Sequence, residues 1–328
     1  MQKVNREQLV EKAAQLLSNG VVSSVLGWSK GEFDYDITPT LFKDVSSLEK
    51  NFVYSDFCGV NLSKYLVSKT KETDGKILVF LKPCDTYSFN QLLTEHRIER
   101  EKAYVVAVPC EGMVDINKVK SAAHDGIYSI SSENDGLLVE TLYGEKVKVA
   151  SSDVLLEKCA SCKSKKHVAY DELLGETGEV LDSSRFDEVA RLEEMTPDER
   201  FAFWQNELSK CIRCNACRDA CPACTCEKCV FDNPNSGVEN KSPANEFEEK
   251  LFHIIRAYHV AGRCTDCGEC SRVCPQNIPL HLLNRKFISD IDRLYGEYQA
   301  GEDTTSKGPL TDFTKADLDP SEVFGGNK

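Results

Sequence analysis

The chain has few of the features that suit a membrane or a nucleic acid. Among its 328 residues, no apolar run approaches the roughly 20 residues that a membrane-spanning helix needs. Residues 1–7 lack the apolar core of a secretory signal. Positive charge is scarce, because 40 Lys and Arg stand against 53 Asp and Glu, and the net charge of −13 would repel DNA, RNA and anionic membranes. The sequence therefore predicts a soluble, cytoplasmic protein that binds no nucleic acid and has no membrane span.

Familiar catalytic patterns are also missing from the sequence. No Ser-His-Asp set, His-based metal site or pair of carboxylates emerges, and the six His residues are scattered. No G-x-G-x-x-G loop is present that would by itself indicate a dinucleotide site. We therefore assign no catalytic residues.

Cysteine, by contrast, is abundant, with 16 residues in the chain. The cytoplasm is reducing, so these thiols are not expected to pair for stability. Metal or redox chemistry is the simpler explanation of so many cysteines. Eleven of them lie between Cys211 and Cys274, and this uneven distribution predicts a larger first domain and a smaller, cysteine-rich second one.

Two runs of four cysteines share one spacing, C-x2-C-x2-C-x3-C followed by Pro. Bacterial ferredoxins use this spacing for 4Fe-4S clusters, and in their two-cluster forms the fourth Cys of each run binds the other cluster. A structural zinc site, the alternative, needs four ligands and not two runs of four with a closing Pro. We therefore predict two 4Fe-4S clusters: cluster 1 on Cys211, Cys214, Cys217 and Cys274, and cluster 2 on Cys264, Cys267, Cys270 and Cys221.

Five more cysteines lie close to these runs or form a pair before them. Adjacent thiolates repel each other unless a metal neutralises them, so a third cluster is the leading interpretation. The alternative is that the pair Cys159 and Cys162 consists of free surface thiols or binds zinc alone. We predict a third 4Fe-4S cluster on Cys159, Cys162, Cys226 and Cys229, with Cys224 as the substitute if one of these is wrong.

The first half of the chain has the pattern of an α/β domain with a short, mostly parallel sheet and hairpins. Residues 77–81 and 104–108 are short apolar runs typical of strands buried on both faces. Each run is followed by Pro-Cys-acidic, and candidate helices follow around residues 88–95 and 117–123. This repeated unit predicts adjacent parallel strands. Residues 126–149 read as hairpins with turns at Asn134-Asp135-Gly136 and Tyr143-Gly144-Glu145.

Three residues at the ends of these strands are candidates for cofactor binding. Cys84 and Cys110 lie in the loops where α/β sheets usually bind ligands. They are either small buried hydrophobic residues or neighbours of a flavin, another cluster or a substrate. Lys82 is the nearby cation that could meet a flavin N1 or a phosphate. We therefore predict a flavin or redox loop at Lys82, Cys84 and Cys110.

The predicted domains follow from these patterns. The α/β domain covers residues 1–190, an α-helical dicluster domain covers 191–300, and an extended tail covers 301–328. Residues 175–191 form a polar linker or surface segment. Helices begin at Thr196-Pro197 and at Ser242-Pro243, and an apolar stripe at helical spacing starts at Leu280.

With these residues in place, the chain resembles the beta-subunit family of deazaflavin-reducing hydrogenase and formate dehydrogenase. The segment 80–85 resembles the family's apolar strand that ends in a Pro-Cys loop, and Cys159-x2-Cys162 with Asp171 and Gly175 resembles its C-x2-C…D…G segment. The long helical insert between the two cysteine runs resembles the α-helical ferredoxin domains of succinate dehydrogenase iron–sulfur subunits and heterodisulfide reductase small subunits. The resemblance spans about residues 4–295.

The resemblance implies an iron–sulfur electron-transfer subunit in a cytoplasmic complex of an anaerobe. It would relay electrons between a dehydrogenase or hydrogenase subunit and a heterodisulfide-reductase-type or flavin partner. The alternative is a flavin-dependent oxidoreductase with its own active site in the α/β domain, reducing a deazaflavin or a nicotinamide. FAD is implied by the resemblance alone. We expect a relay and not an independent catalyst, because each strong signal in the sequence is a cluster ligand.

Overall fold

The computed structural model describes residues 4–124, 126–133, 136–181, 184–233 and 246–310. The chain divides into two compact units, the first made of Met1–Phe89 with His96–Asp182, and the second made of Asn90–Glu95 with Ser183–Lys328. Within the described residues, no helix is long and apolar enough to cross a membrane.

The first unit is an α/β structure built on a mixed five-stranded sheet. Its strands are β1 (Ser24–Lys30), β2 (Ile37–Phe42), β3 (Ile77–Leu81), β4 (Ala103–Ala107) and β8 (Glu172–Leu173). Strands β5–β7, which lie between β4 and β8 in the chain, form a second sheet that is described below. The order across the five-stranded sheet is β2-β1-β3-β4-β8. The pair β1 and β2 is antiparallel, whereas the other three pairs are parallel.

The two apolar runs predicted as adjacent parallel strands are confirmed as β3 and β4, paired in register from Ile77↔Ala103 to Leu81↔Ala107. Every residue of β3 is buried, which explains its lack of polar alternation. Strands β1, β2 and β8 were not predicted. Pro39 interrupts the pattern of β2, and β8 is only two residues long, too short to leave a periodic signal.

The described residues of the first part of the chain form six α-helices. They are α1 (Arg6–Ser18), α2 (Val45–Asn51), α3 (Ser63–Glu72), α4 (Pro83–Thr94), α5 (Ile116–Ala123) and α6 (Glu157–Ala160). Helix α4 begins five residues before the predicted position 88, so Cys84 lies in the first turn of a helix and not in a loop. The reason is that Pro suits the first helical position, where its fixed φ is helical and its missing N–H is not needed.

The predicted hairpins are confirmed as a second, three-stranded sheet. Its strands are β5 (Ile127–Glu133), β6 (Gly136–Thr141) and β7 (Lys146–Ala150), paired antiparallel in the order β5-β6-β7. Gly144 has φ of +83° in the turn between β6 and β7, a conformation that favours glycine. Of the first predicted turn, Asn134 and Asp135 lie outside the described residues.

The described part of the second unit is helical. Its helices are α7 (Asp187–Glu194), α8 (Pro197–Leu208), α9 (Ala216–Asp219), α10 (Glu246–Val260), α11 (Glu269–Arg272) and α12 (Leu280–Tyr295). The predicted start at Thr196 is confirmed, because its side chain accepts from the Glu199 N–H and Glu199 reaches back to the Thr196 N–H. The segment 175–191, predicted as a polar linker or surface segment, becomes helical at its end, since α7 begins at Asp187 and buries Val189 and Leu192.

Two further sequence predictions fall partly beyond the described residues. Ser242 and Pro243, predicted to open a helix, lie outside them, and α10 is described from Glu246. The predicted tail is described only up to residue 310. The apolar stripe predicted to start at Leu280 is confirmed as α12, which buries Leu280, Ile288, Ile291 and Leu294.

The core of the second unit includes some of its cysteines. Phe252 of α10 is 1% exposed, and it packs in one cluster with two motif cysteines, Cys217 and Cys270. The other buried members are Leu208, Phe231, Ile278 and Leu280. Thiols of both runs are therefore held inside an apolar helical core.

Candidate iron–sulfur centres

The two cysteine runs adopt the same backbone conformation. In the first run, Arg213 and Asn215 have φ values of 53° and 62°. At the same places in the second run, Asp266 and Gly268 have φ values of 54° and 67°. Each loop then enters a four-residue helix, α9 or α11, directly after its second left-handed residue. Left-handed residues in a tight loop turn successive N–H groups toward a common centre, which favours an anion there.

These loops direct backbone N–H groups at cysteine sulfur. The N–H of Arg213 donates to Cys211 Sγ at 3.4 Å. The N–H of Asp266 contacts the Cys264 thiol in the second loop and lowers its pKa, although burial raises that pKa more. Both N–H groups lie two residues after the first Cys of a run. The equal spacing therefore gives the first Cys of each run the same hydrogen-bond donor. Such contacts stabilise a thiolate, the form in which Cys binds a metal.

The four cysteines predicted for cluster 1 line one pocket. Three come from the first run, and Cys274 is the last Cys of the second run. Cys217 is 6% exposed, whereas Cys214 is exposed. Burial raises the pKa of the Cys217 thiol to about 12, and among its neighbours Cys211 and Cys274 add to the rise. The other lining residues include Ile212, Asn215, Phe252, His253, Pro275 and Ile278.

The cysteines predicted for cluster 2 are also neighbours. Burial raises the pKa of Cys264 well above its ordinary value, and Cys267 and Cys221 add to the rise. Burial likewise raises the pKa of Cys270, with Cys221 again contributing. Cys221 belongs to the first run but lies among thiols of the second. The fourth Cys of each run is therefore found beside the other run, as the exchange of fourth ligands requires.

A buried histidine contacts the first set of thiols. His253 of α10 is 2% exposed, and its Nε2 lies 3.2 Å from Cys211 Sγ. Burial, helped by Arg256 and Arg213, lowers the pKa of this imidazole to about 3, so the ring is neutral. Nδ1 has no hydrogen-bond partner in the described part of the chain. We assign the ring proton to Nε2, which then donates to the Cys211 sulfur.

A buried arginine lies among thiols of both sets. Arg256 is 4% exposed, and its Nη2 donates to the Cys217 carbonyl oxygen at 3.1 Å. Its Nε has no hydrogen-bond partner among the described residues. Burial lowers the pKa of Arg256, but the surrounding thiols raise it more, and the net shift is well above the ordinary value. The thiols that do so are Cys221, Cys270, Cys224 and Cys217. Arg256 is therefore a fixed positive charge placed where two cysteine sets gather negative charge.

One amide completes the polar surroundings of the second set. Asn284 of α12 is 4% exposed, and its Nδ2 donates to Cys270 Sγ at 3.6 Å. His253, Arg256 and Asn284 were all missed in the sequence analysis. The signal that could have found them is a polar side chain on an apolar helix face, because such a group needs a buried partner.

The donor set fits iron–sulfur clusters. All metal-binding groups in the two sets are thiols, the ligands that hold 4Fe-4S clusters. N–H, imidazole and amide donors point at three of these thiols, Cys211, Cys264 and Cys270. Within the described residues, no three His, Cys, Asp or Glu side chains are grouped closely enough to hold a single metal ion. A cubane suits more widely spaced thiols, since each thiolate binds a different iron atom.

The first unit buries Lys82 and Asp85 as an ion pair at the end of β3. Their side chains are 1% and 0% exposed, and Lys82 Nζ lies 2.8 Å from Asp85 Oδ2. The same ammonium donates to the Val60 carbonyl oxygen at 2.9 Å and lies 4.9 Å from the centre of the Trp28 ring. The structure thus gives Lys82 internal partners, and its role at a flavin stays a prediction.

The predicted third-cluster set draws on both units. Cys159 and Cys162 are partly exposed thiols of the first unit. Cys226 of the second unit is exposed, and Cys224 and Cys229 are partly exposed. A shared cluster on these residues stays a prediction.

Comparison with known proteins agrees with the cysteine geometry. Residues 207–278 match the profile of the "4Fe-4S dicluster domain" family. Over 91 residues the chain is 32% identical to the succinate dehydrogenase iron–sulfur subunit of Bacillus subtilis, covering 24% of this chain and 32% of that protein. The second unit therefore contains a dicluster domain, and the chain is an iron–sulfur protein.

Two relatives extend over most of the chain. It is 23% identical to the F420-dependent formate dehydrogenase subunit beta of Methanocaldococcus jannaschii, over 85% of this chain and 88% of that protein. It is also 23% identical to the F420-dependent formate dehydrogenase 1 subunit beta of Methanococcus maripaludis, over 88% of both. The chain is thus similar over most of its length to these beta subunits, in agreement with the resemblance seen in the sequence.

One solved structure resembles the chain weakly. It is a chain of the F420-reducing NiFe hydrogenase complex from Methanosarcina barkeri, with a TM-score of 0.38 and 12% identity. The match covers 62% of this chain and 88% of that one. At this score the likeness adds nothing to the description of the fold.

Proposed function

We propose that this chain is the iron–sulfur electron-transfer subunit of an anaerobic, cytoplasmic oxidoreductase complex. It relays electrons between a dehydrogenase or hydrogenase subunit and a heterodisulfide-reductase-type or flavin partner. The observation that carries the proposal is the single cavity lined by three cysteines of the first run and Cys274 of the second. This grouping supports cluster 1 as predicted, and the position of Cys221 beside Cys264 and Cys270 supports cluster 2.

The burial of the two cysteine sets supports a relay. In the first set Cys214 is exposed, and Ile212 beside it is 57% exposed. In the second set Cys267 and Cys270 are buried, at 9% and 6% exposure. One set is therefore open toward solvent while the other is deeper in the protein. We propose that electrons pass to or from a partner subunit at the surface around Cys214.

The relatives support the proposal of partner subunits. They are named as beta subunits of formate dehydrogenases, and a beta subunit works beside other chains. When bound, the clusters would supply one-electron transfer at four thiolates each. The protein's part is to hold those thiolates, to exclude water with residues such as Phe252, and to place Arg256 and His253 beside them. FAD in the first unit is a further part of the proposal and rests on the family resemblance.

The test uses the full chain, purified without oxygen together with the subunits that accompany it. Cys214→Ala and Cys267→Ala should each remove about four irons per chain, because each cubane loses a ligand. Each should also stop electron transfer between the accompanying subunits. Cys58→Ala is the matched control, since Cys58 is a 0% exposed cysteine of the first unit outside both sets. Electron transfer that survives both ligand substitutions would overturn the relay. Flavin measured on the same sample tests FAD.

A further inference from the structure

Two cysteines of the second unit, Cys224 and Cys226, belong to neither cluster 1 nor cluster 2. They form a C-x-C pair around Thr225, in the loop between α9 and the 3-10 helix Val230–Asp232. Cys226 is exposed and Cys224 is partly exposed, whereas Thr225 is only 8% exposed. The chain keeps the two Cα atoms within about 7 Å of each other, a separation that a disulfide can span. The loop therefore presents two thiols that are close enough to bond.

The backbone around this pair is anchored by Glu95 and Arg263, which belong to the same unit. The Thr225 hydroxyl donates to Glu95 Oε2 at 3.4 Å. Arg263 donates through Nε to Glu95 Oε1 at 2.8 Å, and through Nη2 to the Ala223 carbonyl oxygen at 3.0 Å. The residue before the pair and the residue within it are thus held by one ion pair.

Arg263 also places a positive charge near both thiols. The pKa of Arg263 is raised first by its hydrogen bond to Glu95, and Cys224 and Cys226 add to the rise. A cation beside a cysteine favours the thiolate, which is the form that attacks a disulfide. The surroundings of the pair therefore suit thiol–disulfide exchange.

The pair lies directly beside thiols that are predicted to bind cluster 2. Cys224 and Cys264 pack against one apolar group made of Cys221, Ala223 and Val260. The Cys224 N–H also donates to the Cys221 carbonyl oxygen at 3.1 Å. Because Cys221 and Cys264 are both predicted ligands of cluster 2, electrons at that cluster have a short path to Cys224.

The next cysteine along the chain, Cys229, has different neighbours. It packs against the apolar core that contains Phe231, and Arg218 contacts its thiol. Cys226 and Cys229 have a C-x2-C spacing, so they are the competing pair in the sequence. The structure favours Cys224 as the partner of Cys226, because these two thiols share Arg263 as a neighbour.

We propose that Cys224 and Cys226 form a redox-active pair that reduces an external disulfide and is itself closed to a disulfide. The exposed Cys226 thiolate attacks one sulfur of the external disulfide, whose S–S bond breaks, and one thiol leaves. The Cys224 thiolate then attacks the Cys226 sulfur and releases the second thiol. The external disulfide gains two electrons and two protons, and the pair loses them.

Reopening the pair rests on the proposed function, because the relay supplies the electrons. Two electrons, delivered one at a time, and two protons from water break the bond between the Cys224 and Cys226 sulfurs and restore both thiols. This role differs from the third cluster predicted from sequence, in which Cys226 is a metal ligand. The iron content of the variants below distinguishes the two roles.

The first experiment measures closure of the pair in the full chain, purified without oxygen. The protein is incubated with glutathione disulfide, a small-molecule source, or with oxidised thioredoxin, a protein source. Its thiols are then alkylated, and its tryptic peptides are analysed by mass spectrometry. Cleavage after Arg218 and Lys228 gives the peptide 219–228, which contains Cys224 and Cys226 but not Cys229. Closure should remove two alkylation sites from this peptide, whereas a bond between Cys226 and Cys229 would link it to the next peptide.

Three variants separate the steps of the exchange. Cys226→Ser should lose the reaction, because the attacking thiol is absent. Cys224→Ser should stop at a mixed disulfide between Cys226 and glutathione, because no second thiol releases it. The matched control, Cys229→Ser, should close as the wild type does. Cys224→Ser and Cys226→Ser should contain as much iron per chain as the wild type.

The second experiment measures reopening with reduced methyl viologen, a one-electron donor. The closed wild type should regain both alkylation sites, whereas closed Cys267→Ala, which lacks a ligand of cluster 2, should not. The proposal is overturned if neither disulfide closes the pair, if Cys226 bonds to Cys229, or if Cys224→Ser or Cys226→Ser loses iron. It is also overturned if Cys267→Ala reopens as fast as the wild type. A failure of the relay is recognised separately, because it appears as electron transfer that survives Cys214→Ala and Cys267→Ala.

Discussion

Replacing Arg256 with Met should lower the reduction potential of the clusters in the second unit. The guanidinium is 4% exposed, and thiols from both sets, Cys217 and Cys270 among them, surround it. Reduction adds one negative charge to a cluster, and a nearby cation stabilises that charge. Without the cation, reduction becomes harder, so the potential falls. The side chains of Arg and Met are both long and flexible, so the packing changes less than the charge does.

The size of the shift follows from Coulomb's law. At an effective dielectric constant of about 20, two unit charges interact by about 4 kcal/mol at 4 Å and about 2 kcal/mol at 8 Å. For a one-electron step, about 1.4 kcal/mol corresponds to about 59 mV. A cluster at the larger separation should therefore fall in potential by about 80 mV.

The assay is a potentiometric titration of the full chain, followed by electron paramagnetic resonance. Arg256→Lys should keep most of the wild-type reduction potential, because Lys carries the same positive charge although it lacks the planar guanidinium group. Arg191→Met is the matched control, since the Arg191 side chain is 51% exposed and its charge is screened by solvent. If Arg256→Met shifts the potential no more than this control does, or shifts it upward, the assignment of Arg256 as a charge partner of the clusters is wrong.

Three other perturbations have defined outcomes. His253→Phe should lower the reduction potential of cluster 1 alone by about 60 mV, since a hydrogen bond to a charged sulfur contributes about 1.5 kcal/mol. An equal shift of both clusters in the same titration would contradict the 3.2 Å contact between His253 and Cys211. Lys82→Met should reduce the free energy of unfolding by about 3–5 kcal/mol, because Asp85 stays buried without its cation. Urea unfolding checks this value, and the further change Asp85→Leu should recover much of the loss. As the pH falls below about 6.5, the wild type should lose stability relative to the His281→Gln variant. The reason is that the His281 imidazole takes up a proton in the unfolded chain, whereas burial lowers its pKa in the folded protein to about 4 and keeps the ring neutral. The difference grows by about 2 kcal/mol between pH 7 and pH 5 and is measured by urea unfolding over that range. Equal curves for the two proteins would show that the ring is not buried in its neutral form. Besides burial, the charged groups that act on this ring are Arg285, Asp266 and Glu188.

The sequence predicts those structural features that depend on the spacing of residues close together in the chain. The two cysteine runs share one spacing, and this spacing predicts the dicluster domain. In the structure, the residues at the same place in each run, Arg213 and Asp266, both have a left-handed backbone conformation. The apolar runs of β3 and β4 reveal buried strands, and Thr196 with Glu199 reveals a helix start. Each of these features is set by residues within a few positions of one another. Strands β1 and β2, in contrast, have no such clear local pattern, and their pairing is decided by the sheet that they join.

Tertiary structure alone decides which distant groups surround the thiols. His253 and Arg256 look like ordinary polar positions on an apolar helix, and only the packing of α10 brings them to Cys211 and Cys217. In the same way, Cys84 and Cys110 look isolated in sequence, and only the parallel pairing of β3 and β4 brings them to the same end of the sheet. Burial and charge compensation depend on elements that are far apart along the chain. The sequence by itself therefore predicts which cysteines bind the two proposed clusters, and the fold decides the charges and hydrogen bonds around those cysteines.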